Sequence, residues 1–317
     1  MNRTRVLLWF VDGLGVGECD PRVNPVVRAR TPGLDRMLAG RLCWATLPVR
    51  NGGCWATAVD ATLGVVGLPQ SATGQTALLT GINAAALQGR HVTAYPTRAL
   101  RALLDEHSLF HRARRAGLRV AFANAFTDDY FAEVEGRRRH AAFTYAAISA
   151  GIPLCTMDAL RSGRAAAMDL TNQRFRAMGH DVPQVEPEDA GRALARLARD
   201  YDLTVFEFFL TDMAGHRRWN LDPVAVVERL DRAFGASVEA SDLAETLIVL
   251  TSDHGNIEDG TTDVHTHNPV PLVAVGARAE QVASSVRSIA DVSPAILAVL
   301  EAGQSAPIRR PPTAGAC

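Results

Sequence analysis

Three nearly uninterrupted apolar runs, Val6 to Val11 (VLLWFV), Leu203 to Leu210 (LTVFEFFL) and Thr246 to Leu250 (TLIVL), each pass directly into a loop that carries an aspartate. Runs of this length and composition suit strands buried on both faces, which is the condition of a parallel sheet covered by helices. In such sheets ligands collect outside the carboxyl ends of the strands. The loops that follow the runs bring Asp12, Asp212 and Asp253 to one edge, and Leu272 to Val275 reads as a fourth strand of the same kind. Helical spacing at Ala72 to Thr80, Thr97 to Ala116, Pro187 to Arg199, Pro223 to Ala240 and Ile289 to Ala302 completes an alternation of strand and helix, and the fold class is α/β.

Between residues 84 and 185 the pattern changes. One strand, Arg119 to Ala123, is followed by an arginine-rich stretch and Ala-rich segments. The expected organisation is a discontinuous core over 1–83 and 186–302, an inserted α/β cap over 84–185, and a disordered tail over 303–317 that is rich in Pro and small residues. The chain of 317 residues is 47% hydrophobic, enough to fill a large core. Its net charge of −1 gives no overall field for nucleic acid or an anionic membrane surface, so neither is an expected partner. There is no lysine, and all positive side-chain charge at neutral pH comes from arginine. The apolar run at Val6 is too short for a membrane span or a signal segment. The five cysteines, Cys19, Cys43, Cys54, Cys155 and Cys317, are scattered without a C-x-x-C pair, which favours a reducing cytoplasm.

Three late segments hold the chemistry: Thr211-Asp-Met-Ala-Gly-His216, Thr251-Ser-Asp-His-Gly-Asn256 and Val264-His-Thr-His-Asn-Pro269. Asp and neutral His are good ligands for Zn or Mn, and two such ions hold both apical oxygens of a phosphoryl transfer. Asp212 and His216 stand one helical turn apart, whereas the adjacent Asp253 and His254 diverge after an extended strand. His265 and His267 alternate, leaving open which of them ligates. In Leu68-Pro-Gln-Ser-Ala-Thr-Gly-Gln-Thr a loop meets a helix start, and a hydroxyl there, Ser71 or Thr73, is a candidate nucleophile favoured by the helix N-terminus. The alternative use of Ser71 is an N-cap.

An early Asp-Gly after the first strand, a hydroxyl at a Ser/Thr-x-x-Gly helix start, D-M-x-G-H, S-D-H-G-N and H-T-x-N-P-V-P follow one another in this chain. In that order they resemble the alkaline phosphatase superfamily, in the branch of cofactor-independent phosphoglycerate mutase and phosphopentomutase, over about residues 4 to 82 and 200 to 277. The resemblance implies an alkaline-phosphatase-like core with a mostly parallel sheet flanked by helices. It further implies two divalent ions, Mn or Zn: Asp212, His216 and His265 hold one, Asp12, Asp253 and His254 the other, and Ser71 bridges toward both. Ser71 attacks phosphorus and forms a phosphoserine, and the substrate is a small phosphorylated metabolite. The alternatives are a phosphodiesterase on the same core or a degenerate member that only binds metal or metabolite; a sulfatase would need a C/S-x-P-x-R nucleophile motif, which Ser71-Ala-Thr-Gly-Gln lacks. The segment 84–185 is shorter than the mutase's second domain and nearer to phosphopentomutase, as is Gly215-His-Arg-Arg218, while Gln75 replaces a histidine common in both. Arg90, His91, Asn124, Asp128, His267 and the run Arg137 to His140 are the candidate substrate contacts.

Overall fold

A computed structural model describes residues 4–134 and 139–302. Arg137, Arg138, Cys317 and the expected tail over 303–317 lie outside the described residues. The strands are β1 (Arg5–Val11), β2 (Val49–Asn51), β3 (Cys54–Val59), β4 (Val120–Ala125), β5 (Leu154–Cys155), β6 (Leu203–Phe208), β7 (Thr246–Thr251) and β8 (Val270–Gly276), joined in one sheet of order β2-β3-β8-β7-β1-β6-β4-β5. β1 lies in the middle, parallel to β6 on one side and β7 on the other. Its alternation shows why the run must be apolar throughout: Val6, Leu8 and Phe10 enter the core on one face, and Leu7, Trp9 and Val11 the core on the other, all fully buried.

The first face is covered by the helices Ser71–Thr80, Arg98–His107, Leu109–Arg115, Ala142–Ser149 and Val292–Ala302, through residues such as Leu78, Leu104, Phe110, Phe143 and Ile296. The second is covered by Pro32–Leu38, Pro187–Asp200 and Pro223–Glu239, through Leu34, Leu194, Leu230 and Phe234. The long helix expected over Thr97 to Ala116 is broken at Ser108, whose extended backbone ends one helix while its hydroxyl accepts from His111 N to cap the next. The helix expected from Ile289 begins with a 3₁₀ turn, Ile289–Asp291.

Two larger corrections concern topology. β8 is antiparallel to β7, so the start of β8, rather than its end, meets the edge where the aspartate loops emerge. This is how His265, which precedes the strand, reaches that edge. The strand expected inside a cap is β4, which pairs parallel with β6 in the central sheet. Among the described residues the segment 84–185 has no sheet of its own; an apolar strand needs a pairing partner, and the free edge of β6 supplies one.

Cys19 and Cys43 are joined by a disulfide across 24 residues, tying the loop after β1 to the chain beyond the helix Pro32–Leu38. Disulfides persist in oxidising surroundings, so the cysteines no longer argue for a reducing compartment. Cys54 and Cys155 are buried free thiols. No helix among the described residues is long and apolar enough to cross a membrane.

Candidate metal centre

The site is assembled at the edge where β1, β6 and β7 end and β8 begins. Gly13, with φ of +70°, turns the chain sharply after Asp12, and a Cβ there would stand 2.9 Å from Cβ of Asp212. The two aspartate loops therefore pack against each other. Asp212 and His216 come from one short helix, Leu210–Gly215, and its C-cap.

Two groups of three side chains converge: Asp212, His216 and His265, and Asp12, Asp253 and His254, with the ligand atoms of each within 4.8 Å of one another. In the first, Asp212 Oδ1 lies 3.3 Å from His216 Nε2 and 3.4 Å from His265 Nε2. In the second, His254 Nε2 is 3.2 Å from Asp12 Oδ1 and 3.5 Å from Asp253 Oδ2. The groups adjoin through the stacked rings of His254 and His265, whose centroids are 3.7 Å apart.

Donor chemistry tests whether these residues fit a cation. His216 Nδ1 is 2.6 Å from the Asp263 carbonyl and His265 Nδ1 is 2.7 Å from the Pro69 carbonyl. Each Nδ1–H is thereby engaged, so that in a neutral ring Nε2 keeps a lone pair for a cation, and otherwise it takes the proton that bonds Asp212. The two Nε2 atoms face each other at 3.0 Å beside a carboxylate oxygen, and the hydrogen bond with Asp212 raises His216. In the second group Asp12 Oδ1 and Asp253 Oδ2 are buried without a hydrogen-bond partner. Acceptors gathered in this way require a positive charge among them, and a set of carboxylates and imidazoles suits a divalent metal ion.

The titration behaviour has the same origin. Burial, reinforced by the charge of Asp212, raises the Asp12 carboxyl. Burial and the charge of Asp12 push Asp253 well above the usual range. Burial opposes charge on Asp212 as well, but hydrogen bonds from His216 and His265 outweigh it and hold that carboxyl well below the usual range. Burial would depress His254, yet the charges of Asp253 and Asp12 carry it up to about 10. Carboxyl groups so crowded hold their protons, or need cations, because like charges in a poorly solvated site repel.

Ser71 is the first residue of its helix, and the N-cap is Gln70. Its hydroxyl is therefore not spent on capping; Oγ stands 3.0 Å from His254 Nε2, at the second group. Thr73 is fully buried, donates to the Gln70 carbonyl and accepts from Val92 N, which commits it to the backbone. Of the two hydroxyls, Ser71 is the one that faces the centre.

A cavity of about 730 Å³ opens from the centre and includes Asp12, Ser71, Asp212, His216 and His265 in its lining. Asn124 lines it too, although its amide spans the Glu207 backbone, donating to the carbonyl at 2.7 Å and accepting from the N–H at 2.8 Å. Arg90, His91, Asp128 and His267 do not line this cavity. His91 instead meets the Val65 carbonyl at 3.2 Å, while Arg90, Asp128 and His267 are exposed. From the arginine-rich run, Arg139 and His140 reach the wall.

Several residues that sequence reasoning passed over organise the site. Gln75 donates to Asp12 Oδ2 at 3.0 Å, and Asn256 donates to Asp212 Oδ1 at 2.9 Å. Glu258 accepts from Gly15 N, Asn256 N, the Thr266 hydroxyl and the Asn268 amide, joining the loops that carry Asp12, His254 and His265. Glu207 lies buried in the cavity wall, and burial together with the charges of Asp12 and Asp253 raises its carboxyl to about 8. A Glu inside an apolar run was the available signal for Glu207, and Gln75 stood out where the resemblance leads one to expect histidine; Asn256 and Glu258 had no signal beyond residue type.

Residues 178–303 match the family model of the Metalloenzyme superfamily. The 2,3-bisphosphoglycerate-independent phosphoglycerate mutase of Cereibacter sphaeroides is 32% identical over 125 residues, which is 37% of this chain and 24% of that protein. The chain thus spans about a quarter of the length of this curated relative. Two solved structures extend the likeness to the whole fold. The PH0037 protein of Pyrococcus horikoshii aligns with a TM-score of 0.56 at 15% identity, covering 97% of this chain and 100% of that one. Leishmania mexicana phosphoglycerate mutase aligns at 0.53 and 11% identity, covering 97% and 96%. The family match is confined to residues 178–303, and over the rest of the chain the likeness is one of fold.

Proposed function

We propose that this protein is a two-metal phosphoryl-transfer enzyme that acts on a small phosphorylated metabolite through a phosphoserine at Ser71, as a phosphomutase or phosphatase. The observation that carries this reading is Ser71 Oγ, uncommitted to capping and 3.0 Å from His254 Nε2 in one of two adjoining Asp and His groups. Asp212, His216 and His265 would hold one divalent ion, and Asp12, Asp253 and His254 the other. Such ions, Mn or Zn, supply charge stabilisation at the attacking and leaving oxygens.

The chain's own residues do the rest. Ser71 gives up its hydroxyl proton as Oγ forms the bond to phosphorus and the bond to the ester oxygen breaks, and the departing alkoxide oxygen takes up one proton to leave as the alcohol. The phosphoserine is then discharged to water, or to a second hydroxyl retained in the cavity, and that choice separates phosphatase from mutase. The resemblance to phosphoglycerate mutases implies an active-site lysine, and its absence from this sequence, with the short segment 84–185, weighs against a strict phosphoglycerate mutase.

The test is turnover by metal-free protein reloaded with Mn or Zn, on p-nitrophenyl phosphate, its bis-ester, ribose 5-phosphate and 3-phosphoglycerate. Metal-dependent release of phosphate from monoesters, or isomerisation without release, is the expected result, and Ser71→Ala abolishes it while preserving the fold. Undiminished activity in Ser71→Ala would remove the nucleophile from the scheme, and preference for the bis-ester would make the enzyme a diesterase.

A further inference from the structure

The cavity is far larger than the metal centre needs, and its wall is not that of a site for small polyanions. Beyond the candidate ligands it is lined by Phe126, Phe175, Phe209, Met168 and Met213. At its mouth Tyr95, Met178 and Val264 are 45%, 58% and 50% exposed. Large apolar side chains left in water around the mouth of an apolar cavity mark a surface that a ligand covers. At about 730 Å³ the cavity falls within the range of roughly 300–1,000 Å³ that encloses organic ligands of many heavy atoms.

The polar groups set in this wall point the same way. Tyr130 and His140 are bound to each other, Oη to Nδ1, at 2.7 Å. The Asn124 amide is committed to the backbone of Glu207. Glu207 itself is 5% exposed and adds a further carboxyl to a cavity that already contains Asp12 and Asp212. The guanidinium groups of the lining, Arg139 and Arg218, are both on solvent-exposed residues. A distal carboxylate on the substrate would therefore find a cation only at the solvent-exposed edge, and inside the wall it would lose its hydration without an ionic partner.

Building on the phosphoryl-transfer reading above, we infer that the preferred substrates are phosphate monoesters of bulky, uncharged, predominantly apolar alcohols, with the rim residue Met178 contributing to specificity. The phosphate lies at Ser71, the alcohol fills the aromatic and methionine wall, and anionic metabolites such as phosphoglycerate are disfavoured.

The experiment compares 2-phenylethyl phosphate, ethyl phosphate and 3-phosphoglycerate with the full-length, metal-loaded protein, following phosphate release and isomer formation. These are all alkyl esters, so differences in leaving-group basicity do not dominate as they would with aryl esters. The expected kcat/KM for 2-phenylethyl phosphate exceeds that of each of the others by at least about tenfold, the scale on which a few buried methylenes discriminate. Met178→Glu, at an exposed position that leaves folding intact, lowers kcat/KM for 2-phenylethyl phosphate more than for ethyl phosphate.

Equal or better use of 3-phosphoglycerate by the wild-type protein overturns the inference while leaving phosphoryl transfer standing. Should none of the three turn over, calorimetric titration of each into the metal-loaded protein separates the cases. Selective binding of 2-phenylethyl phosphate, weakened by Met178→Glu, retains the ligand class and refutes the reaction; absence of selectivity refutes both.

Discussion

His216 Nε2 and His265 Nε2 stand 3.0 Å apart with no hydrogen available between them in the neutral rings, because each Nδ1 is committed to a backbone carbonyl. Asp212 Oδ1 adds a third acceptor 3.3 and 3.4 Å away. Three such atoms in mutual contact destabilise the fold unless a proton or a cation joins them, and a divalent cation can engage all three at once. Chelation should therefore lower the unfolding temperature, and restoring ions at a hundredfold excess over their Kd should return about 2.7 kcal/mol per site. Elemental analysis should find two ions per chain, and one fewer in His265→Ala. A wild-type protein that binds no ion, and whose melting is indifferent to chelator, would defeat the metal assignment.

Glu258 extends the argument outward. Each of its carboxylate oxygens accepts two hydrogen bonds: Oε2 from Gly15 N at 2.9 Å and Asn256 N at 2.7 Å, Oε1 from the Thr266 hydroxyl and from Asn268 Nδ2 at 3.0 Å. These partners belong to the loop after β1 and to two stretches of the connection between β7 and β8, and each of the three stretches delivers a candidate ligand. Glu258→Ala strands buried donors at a cost of roughly 1–3 kcal/mol each where water cannot replace the acceptor. It should also weaken metal affinity about 10–100-fold, the usual effect of removing a group that orients ligands. Calorimetric metal titration of the variant, with circular dichroism to confirm folding, checks this; unchanged affinity would reduce Glu258 to a loop tie.

Much of this centre was legible before the fold because its aspartates follow strands whose apolar composition announces them. Asp12 and Asp253 each lie just beyond a run that can only be a buried strand, and the D-x-x-x-H spacing of Asp212 and His216 is local. What was hidden depends on partners distant in the chain. β4 resembles a strand of a separate cap until the edge of β6 is known to be free, 83 residues from its own Asn124 contact with Glu207. The sense of β8 is likewise invisible in its composition. Gln75 and Asn256 are ordinary amides until Asp12 and Asp212 are seen beside them. Nothing in the spacing of Cys19 and Cys43 shows that they are paired.

The helix pair on the second face offers a test of packing that is independent of the site. An added Cβ at Gly191, in the helix Pro187–Asp200, would lie 2.0 Å from the carbonyl oxygen of Ala233 in Pro223–Glu239. Helices so close must separate to admit a methyl group, and overpacking of this kind costs typically 1–3 kcal/mol, more than the roughly 1 kcal/mol that alanine gains over glycine in helix propensity. Gly191→Ala should lower the unfolding temperature while leaving the number of bound ions unchanged. A stabilised variant would show that the helices adjust at little cost.

Glu207 makes stability depend on pH in a direction that can be worked out. Its carboxyl is raised from an ordinary 4.5 to about 8, first by burial and then by the charges of Asp12 and Asp253. The folded chain thus holds a proton that the unfolded chain has released, and the stability this contributes is complete below about 4.5 and is lost as pH rises through about 8. In chelated protein the unfolding temperature should therefore fall across that window faster for wild type than for Glu207→Gln, which has nothing to ionise. Loading with divalent ions should shrink the difference, because charge at Asp12 and Asp253 is then compensated, although the burial contribution persists. Parallel pH profiles for wild type and Glu207→Gln in the chelated state would mean that Glu207 ionises as freely in the fold as outside it.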